Sequence, residues 1–264
     1  MCYRVETLRF SSSMFRTIDC CYVLTMEGSK RRNEYMHQLR TFKPCRTVHI
    51  QHNKGYKKCK KQLCEQNSMY DIGHAVANAF QHARRYKGNI IVFEDDFFFR
   101  NDVRTTDVAR IEDFVSSHPF DVYSLGLIPF LSYPKTAFHA RVLLFGGAHA
   151  IIFHPKAREK LLAAIEKDIC AMNQPDGYYS KHFTCYTYYK PLCFQLFPPT
   201  SNQDLWGKNL TRIEVLDRAL GKVCVKLTKV LRLDKKALPG FTAAHLASML
   251  VPILLVIVGI YTFF

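Results

Sequence analysis

Apolar residues recur along this chain in two rhythms, one of period two and one of helical spacing. Ile18–Thr25 (IDCCYVLT) is a short run of β-forming residues, closed by the turn signal Glu27-Gly28-Ser29. Ser29 is placed to cap a helix over Arg31–Arg40, in which Tyr35, Met36 and Leu39 share one face. Thr47–Ile50 makes a second, weaker strand, and the lysine-rich stretch after it reads as a solvated loop. Over Asp71–Tyr86 the residues Ile72, Ala75, Val76, Ala79, Phe80 and Ala83 keep helical spacing, with Gly88 as a stop. Asn89–Phe93 (NIIVF) is the clearest buried strand. A helix is expected over Val108–Ser116 and a strand over Phe120–Leu127. Val142–Phe145 leads into Gly146-Gly147, and Ala148–Phe153 continues as a strand. Pro155 opens an amphipathic helix over Lys156–Lys167, and 191–236 is left unassigned. Strands alternating with helices predict an α/β sandwich around a largely parallel sheet.

The rhythm stops at the C-terminal end. From Ala237 to Phe264 there is no Lys, Arg, Asp or Glu, and Leu246–Phe264 is long enough for a transmembrane helix across about 30 Å of hydrocarbon at 1.5 Å per residue. The expected organisation is therefore a domain over 1–236 and a membrane anchor over 237–264. The first fifteen residues carry Arg4, Glu6 and Arg9 and no apolar run of secretory type. Lys235 and Lys236 precede the span, which places the domain on the cytosolic side by the positive-inside rule. On that side the ten cysteines are expected to stay reduced, and the Asn209-Leu210-Thr211 sequon to be silent.

Charge adds one constraint. The 264 residues hold 37 Lys plus Arg against 22 Asp plus Glu, a net +15. Lys54, Lys57, Lys58, Lys60 and Lys61 form one knot. Such a surface attracts lipid headgroups, nucleotides, phosphorylated substrates or nucleic acid, and charge alone does not choose among them.

The candidate chemistry lies in Glu94-Asp95-Asp96, which closes the NIIVF strand. Ligands of open α/β sheets bind at the carboxyl ends of strands. Three adjacent carboxylates repel one another beside an apolar core, and a divalent cation relieves that cost. Hard oxygen ligands suit Mg²⁺ or Mn²⁺, which bridge carboxylates to phosphate oxygens. Period-two alternation puts Glu94 and Asp96 on one side and Asp95 on the other. The plain alternative is an acidic loop paired with the surplus basic residues.

Several segments, in order, resemble glycosyltransferase family 25, the type that includes lipooligosaccharide and collagen galactosyltransferases. They are CYVLTMEGSKRRNEYMHQL, IGHAVANAFQHARRYKGNIIVFEDDFFF, FDVYSLG, GGAHAIIFHPKAREKLL, QPDGYY and PLCFQLFPPTSNQ, spread over residues 18–203. The resemblance implies a GT-A type nucleotide-sugar-binding domain, Rossmann-like, whose triplet holds Mn²⁺ or Mg²⁺ against the donor pyrophosphate. By position, Asp96 is then the direct metal ligand. Glu94 reaches the metal through water or touches the donor ribose, and Asp95 is a third member. Leu24, Thr25 and Arg31 line the nucleotide, and Asp176 takes the proton from the acceptor hydroxyl in an inverting transfer. His149 contacts a sugar, and Gln195 and Ser201 sit in a closing segment where donor or metal contacts arise. The implied partners are a nucleotide-sugar donor, a glycan or glycoconjugate acceptor and a membrane, with no nucleic acid. The chain departs from the family pattern at Ala77-Asn78, where Ser-His is common, and at Thr25-Met26-Glu27, where Asn-Leu-Asp is usual.

Two other readings stay open. A metal-dependent nucleotidyl- or phosphotransferase would use the same acids, although no glycine-rich phosphate loop is present. A non-catalytic basic membrane adaptor would depend on Lys54–Lys61 and not on the triplet.

Overall fold

A computed structural model describes residues 1–172 and 174–195, together with 215, 222, 226, 247, 248, 250, 253 and 254. Seven strands form one sheet in the order β1-β3-β2-β4-β7-β6-β8: β1 (Tyr3–Arg9), β2 (Ile18–Met26), β3 (Thr47–Asn53), β4 (Asn89–Glu94), β6 (Val122–Pro134), β7 (His139–Phe153) and β8 (Cys185–Tyr188). Strands β3, β2, β4, β6 and β8 run one way, and β1 and β7 run the other. The sheet is therefore mixed, with most strands parallel. A small second sheet pairs β5 (Phe97–Phe99) with β9 (Cys193–Gln195).

The layers follow from alternation along the strands. Cys21 and Val23 of β2 and Ile91 and Phe93 of β4 face one core. There they meet Tyr35, Met36 and Leu39 of α1 (Arg32–Phe42) and Val108, Ile111 and Phe114 of α4 (Thr105–Ser117). Cys20, Tyr22, Leu24, Ile90 and Val92 face the opposite core. It is covered by α3 (Ser68–Ala83), α5 (Pro155–Lys167) and α6 (Pro175–His182). A four-residue helix, α2 (Gly55–Lys58), follows β3. Burial of apolar surface on both faces at roughly 25 cal/mol per Å² is what holds the three layers together.

Several expectations need correction. The helix after Ser29 begins at Arg32, and Arg31 is its N-cap without a side-chain cap bond. The third helix starts earlier than expected, at Ser68, because the Asn67 side chain accepts from the N–H groups of Met69 and Tyr70, both at 3.0 Å. The strand expected to end at Leu127 runs on to Pro134 and pairs with a single long β7. Val142–Phe145 and Ala148–Phe153 belong to that one strand, bent at Gly147, whose φ of +84° suits glycine. The lysine knot is not wholly solvated, since Lys61 is buried.

The cysteines also depart from expectation. Cys2–Cys59, Cys21–Cys45 and Cys64–Cys170 are disulfides, and Cys20, Cys185 and Cys193 are buried thiols. Spacing along the chain cannot foretell these pairs, because partners 57, 24 and 106 residues apart meet only after the sheet assembles. Among the described residues no helix is long and apolar enough to cross a membrane. The expected span at 246–264 falls outside the described residues except at 247, 248, 250, 253 and 254, and the Asn209 sequon lies wholly outside them.

Candidate functional site

The carboxyl ends of β2 and β4 lie side by side, with Leu24 opposite Glu94. Alternation decides where the three acids go. Glu94 follows Val92 toward the face covered by α6, and Asp95 turns toward the α1 side. There Asp95 accepts hydrogen bonds from Thr25 Oγ1 at 2.7 Å, Ser29 Oγ at 2.8 Å and Arg31 Nη1 at 2.7 Å. Asp95 is thus satisfied inside the protein. Arg31 can reach it because, as the N-cap of α1, it stands outside the helical turn.

Asp96 is only 3% exposed and differs from its neighbour. Its Oδ2 accepts from Gln195 Nε2 at 3.1 Å and lies 3.7 Å from Arg31 Nη1. Its Oδ1 is buried with no hydrogen-bond partner of ordinary geometry. Burial pushes the Asp96 carboxyl up to about 6, against the pull of Gln195 and Arg31. Glu94 is raised well above the usual range, by burial first and then by the charges of Asp96, Asp176 and Asp95.

The fourth carboxylate arrives from 80 residues further on in sequence. Pro155 and Pro175 each open a helix at its first turn, and the second of these helices, α6, carries Asp176 in that turn. Asp176 Oδ2 accepts from Gly147 N–H at 2.8 Å and Oδ1 from Ala148 N–H at 3.2 Å. Burial lifts it to about 6, in spite of both bonds. Asp95 and Asp96 thus share Arg31, Gln195 bonds Asp96, and Asp176 lies near enough to Glu94 for its charge to act on it. Leu24 and Thr25, 6% and 4% exposed, are packed rather than open.

Two further sequence candidates are His149 and Ser201. His149 is buried, with Nδ1 2.8 Å from the Gly147 carbonyl. Ser201 lies outside the described residues. Reading by sequence missed Ser29 as a donor to Asp95, having used it as a helix cap, and missed the Gly147 and Ala148 N–H groups altogether. The double glycine was the available signal, since a glycine at φ +84° marks an irregular strand.

The donor set fits a hard divalent cation in part. Among the described residues no group of three or more His, Cys, Asp and Glu side chains is set to hold a metal ion. Mg²⁺ commonly takes only one or two protein carboxylates, with water and phosphate oxygens completing its shell. The orphaned Oδ1 of Asp96 and the neighbouring Glu94 are the groups suited to that role. Asp95 is not, because its oxygens are already engaged.

No family model matches the sequence, and no curated protein matches it. The fold comparisons give weak likenesses. A197 from STIV is 12% identical over 64% of this chain and 81% of that one, with a TM-score of 0.41. A glycosyltransferase involved in the glycosylation of the major capsid of PBCV-1 is 10% identical over 56% and 66%, with a TM-score of 0.34. Apo UDP-glucose pyrophosphorylase is 12% identical over 64% and 72%, also at 0.34.

Proposed function

We propose that this chain is a cation-dependent glycosyltransferase that moves a sugar from a nucleotide-sugar donor to a hydroxyl acceptor with inversion. The reading rests on one observation. Four carboxylates and one guanidinium from three separate parts of the chain gather near the carboxyl ends of β2 and β4, and one guanidinium cannot balance four carboxylates. The resemblance to glycosyltransferase family 25 in the ordered motifs supports the same assignment.

Asp96, with Glu94 beside it, would hold Mg²⁺ or Mn²⁺. When bound, that cation offsets charge on the donor diphosphate. Arg31 is already anchored on Asp95 and leaves guanidinium donors for a phosphate oxygen, a task suited to its planar fork. Gln195 orients Asp96 through Oδ2, which keeps Oδ1 turned away from the bond. Asp176, held by two backbone N–H groups, takes the acceptor proton. Its pKa of about 6 suits a base at neutral pH, where it is largely ionised yet still basic enough to accept a proton.

An uncharged segment over 237–264 would keep such a domain at a membrane, and a membrane-proximal glycan or glycoconjugate is the acceptor class in keeping with that. Three disulfides weigh against a cytosolic face, where thiols are kept reduced, and favour an oxidising compartment.

The test is hydrolysis and binding of a panel of nucleotide sugars by the full chain, with Mn²⁺ and with chelator. Turnover of at least one donor, lost on chelation, is expected. Binding of none of them with Mn²⁺ present would remove the enzyme reading and leave the basic-adaptor alternative.

A further inference from the structure

The Gly146-Gly147 break in β7 is built around one buried side chain. His149 is 1% exposed, and its Nδ1 lies 2.8 Å from the Gly147 carbonyl oxygen. A carbonyl only accepts, so Nδ1 carries the hydrogen and donates it. On the other side of the same residue, Gly147 N–H donates to Asp176 Oδ2, and the next N–H, of Ala148, donates to Oδ1. One residue at φ +84° thus links the imidazole to the carboxylate.

The imidazole has little room to move. A Cβ at Gly126 of β6 would lie 3.1 Å from His149 Nε2 and 1.8 Å from the Cys193 carbonyl oxygen. Only glycine lets β6 approach so closely. A Cβ on Gly147 would stand 3.5 Å from both Gln195 Oε1 and His149 Nδ1. The bulge therefore lies between Asp176 on one side and Gln195, the partner of Asp96, on the other.

We propose that His149 is a positioning residue for Asp176: by donating to the Gly147 carbonyl it fixes the bulge whose two N–H groups aim that carboxylate. The inference rests on the transferase reading for its catalytic meaning, but its geometry does not. Burial holds the imidazole down at about 4, against the pull of the Gly147 and Cys193 backbone, so it stays neutral across the neutral range.

The experiment compares the isotopically labelled full chain with His149→Phe and His149→Asn. Phenylalanine fills the space without a donor, and asparagine restores a donor near the Nδ1 position. In the unsubstituted chain the Gly147 and Ala148 amides should exchange slowly with solvent. In His149→Phe they should exchange about tenfold faster or more, beyond any change at the β4 amides, as loss of charge-assisted hydrogen bonds implies. His149→Asn should restore most of that protection. In donor hydrolysis with Mn²⁺, His149→Phe should lower kcat while the donor KM stays unchanged. If the two amides are unaffected, or move only in step with the rest of the sheet, the proposal is overturned. If they respond as expected while no nucleotide sugar is bound, the positioning role stands and the transferase reading falls. Should the phenylalanine variant not fold, His149→Leu carries the same comparison.

Discussion

Two clusters of buried charge stand at the carboxyl edge of the same sheet, and they are built on opposite plans. Beyond β3, Lys61 Nζ donates to Asn53 Oδ1 and Asp71 Oδ1, and it lies 4.7 Å from the centre of the Tyr3 ring. Asp71 Oδ2 accepts from Tyr56 N–H at 2.9 Å. One cation meets one anion, and the remaining polar atoms are engaged. Beyond β4, Arg31 is the one guanidinium beside Asp95 and Asp96 in a group of four carboxylates, of which Asp96 and Asp176 are pushed up to about 6 and Glu94 is raised well above its usual range. A balanced pair ties β1, β3 and α3 together and needs nothing more. An unbalanced group is costly to keep, and its excess charge describes the ligand it awaits.

The largest effect that would test this contrast is on the balanced side. Lys61→Met leaves Asp71 buried without a counter-charge and should cost about 3–5 kcal/mol in urea unfolding. Donor affinity of the molecules that remain folded should be unchanged. A loss below about 1 kcal/mol would mean that the pair is not structural.

On the unbalanced side, Asp96→Asn should weaken Mn²⁺-dependent nucleotide-sugar binding by about 100-fold, or ~2.7 kcal/mol, in calorimetry. The pH dependence has the same origin. Protons compete with the cation for Asp96, so binding in the unsubstituted chain should fall as pH drops through about 6. Binding that is flat from pH 8 to 5 would separate the cation from this carboxylate.

The smallest effect has the opposite sign to the first. A carboxyl whose pKa is raised in the fold keeps its proton longer there than in the unfolded chain. Stability contributed by that group is therefore present at low pH and lost as pH rises from the ordinary carboxylate range through the raised one. Glu94 is such a group, so Glu94→Gln should stabilise the ligand-free protein by about 0.5–1 kcal/mol at pH 8 and by almost nothing at pH 4. A destabilised variant at pH 8 would show that Glu94 is satisfied in a way the geometry does not reveal.

Much of the site was legible before any fold was known. A buried strand that ends in three acids states its own electrostatic problem, and alternation already separated Asp95 from Glu94. The late acidic Asp176 and the closing Gln195 came from motif resemblance, and both reach the cluster. The role of His149 was not legible. A histidine after two glycines reads equally as a surface contact or a buried strut, and only burial against β6 separates the two. The disulfides ran against expectation: an inferred cytosolic face called for reduced thiols, and spacing along the chain could not say which sulfurs meet.

By itself, the sequence determined the period of β2, α1, α3, β4, α4 and α5, the burial of β4 and the acids that follow it, because these depend on neighbours a few residues apart; β1 (Tyr3–Arg9) and α6 carried no such signal. The tertiary structure alone decided that β7 runs against its neighbours, that Cys64 meets Cys170, and that Asp176 faces Glu94. Those facts depend on pairings between distant segments. Such pairings are settled by which arrangement buries both faces of the sheet while leaving the fewest polar groups unmatched.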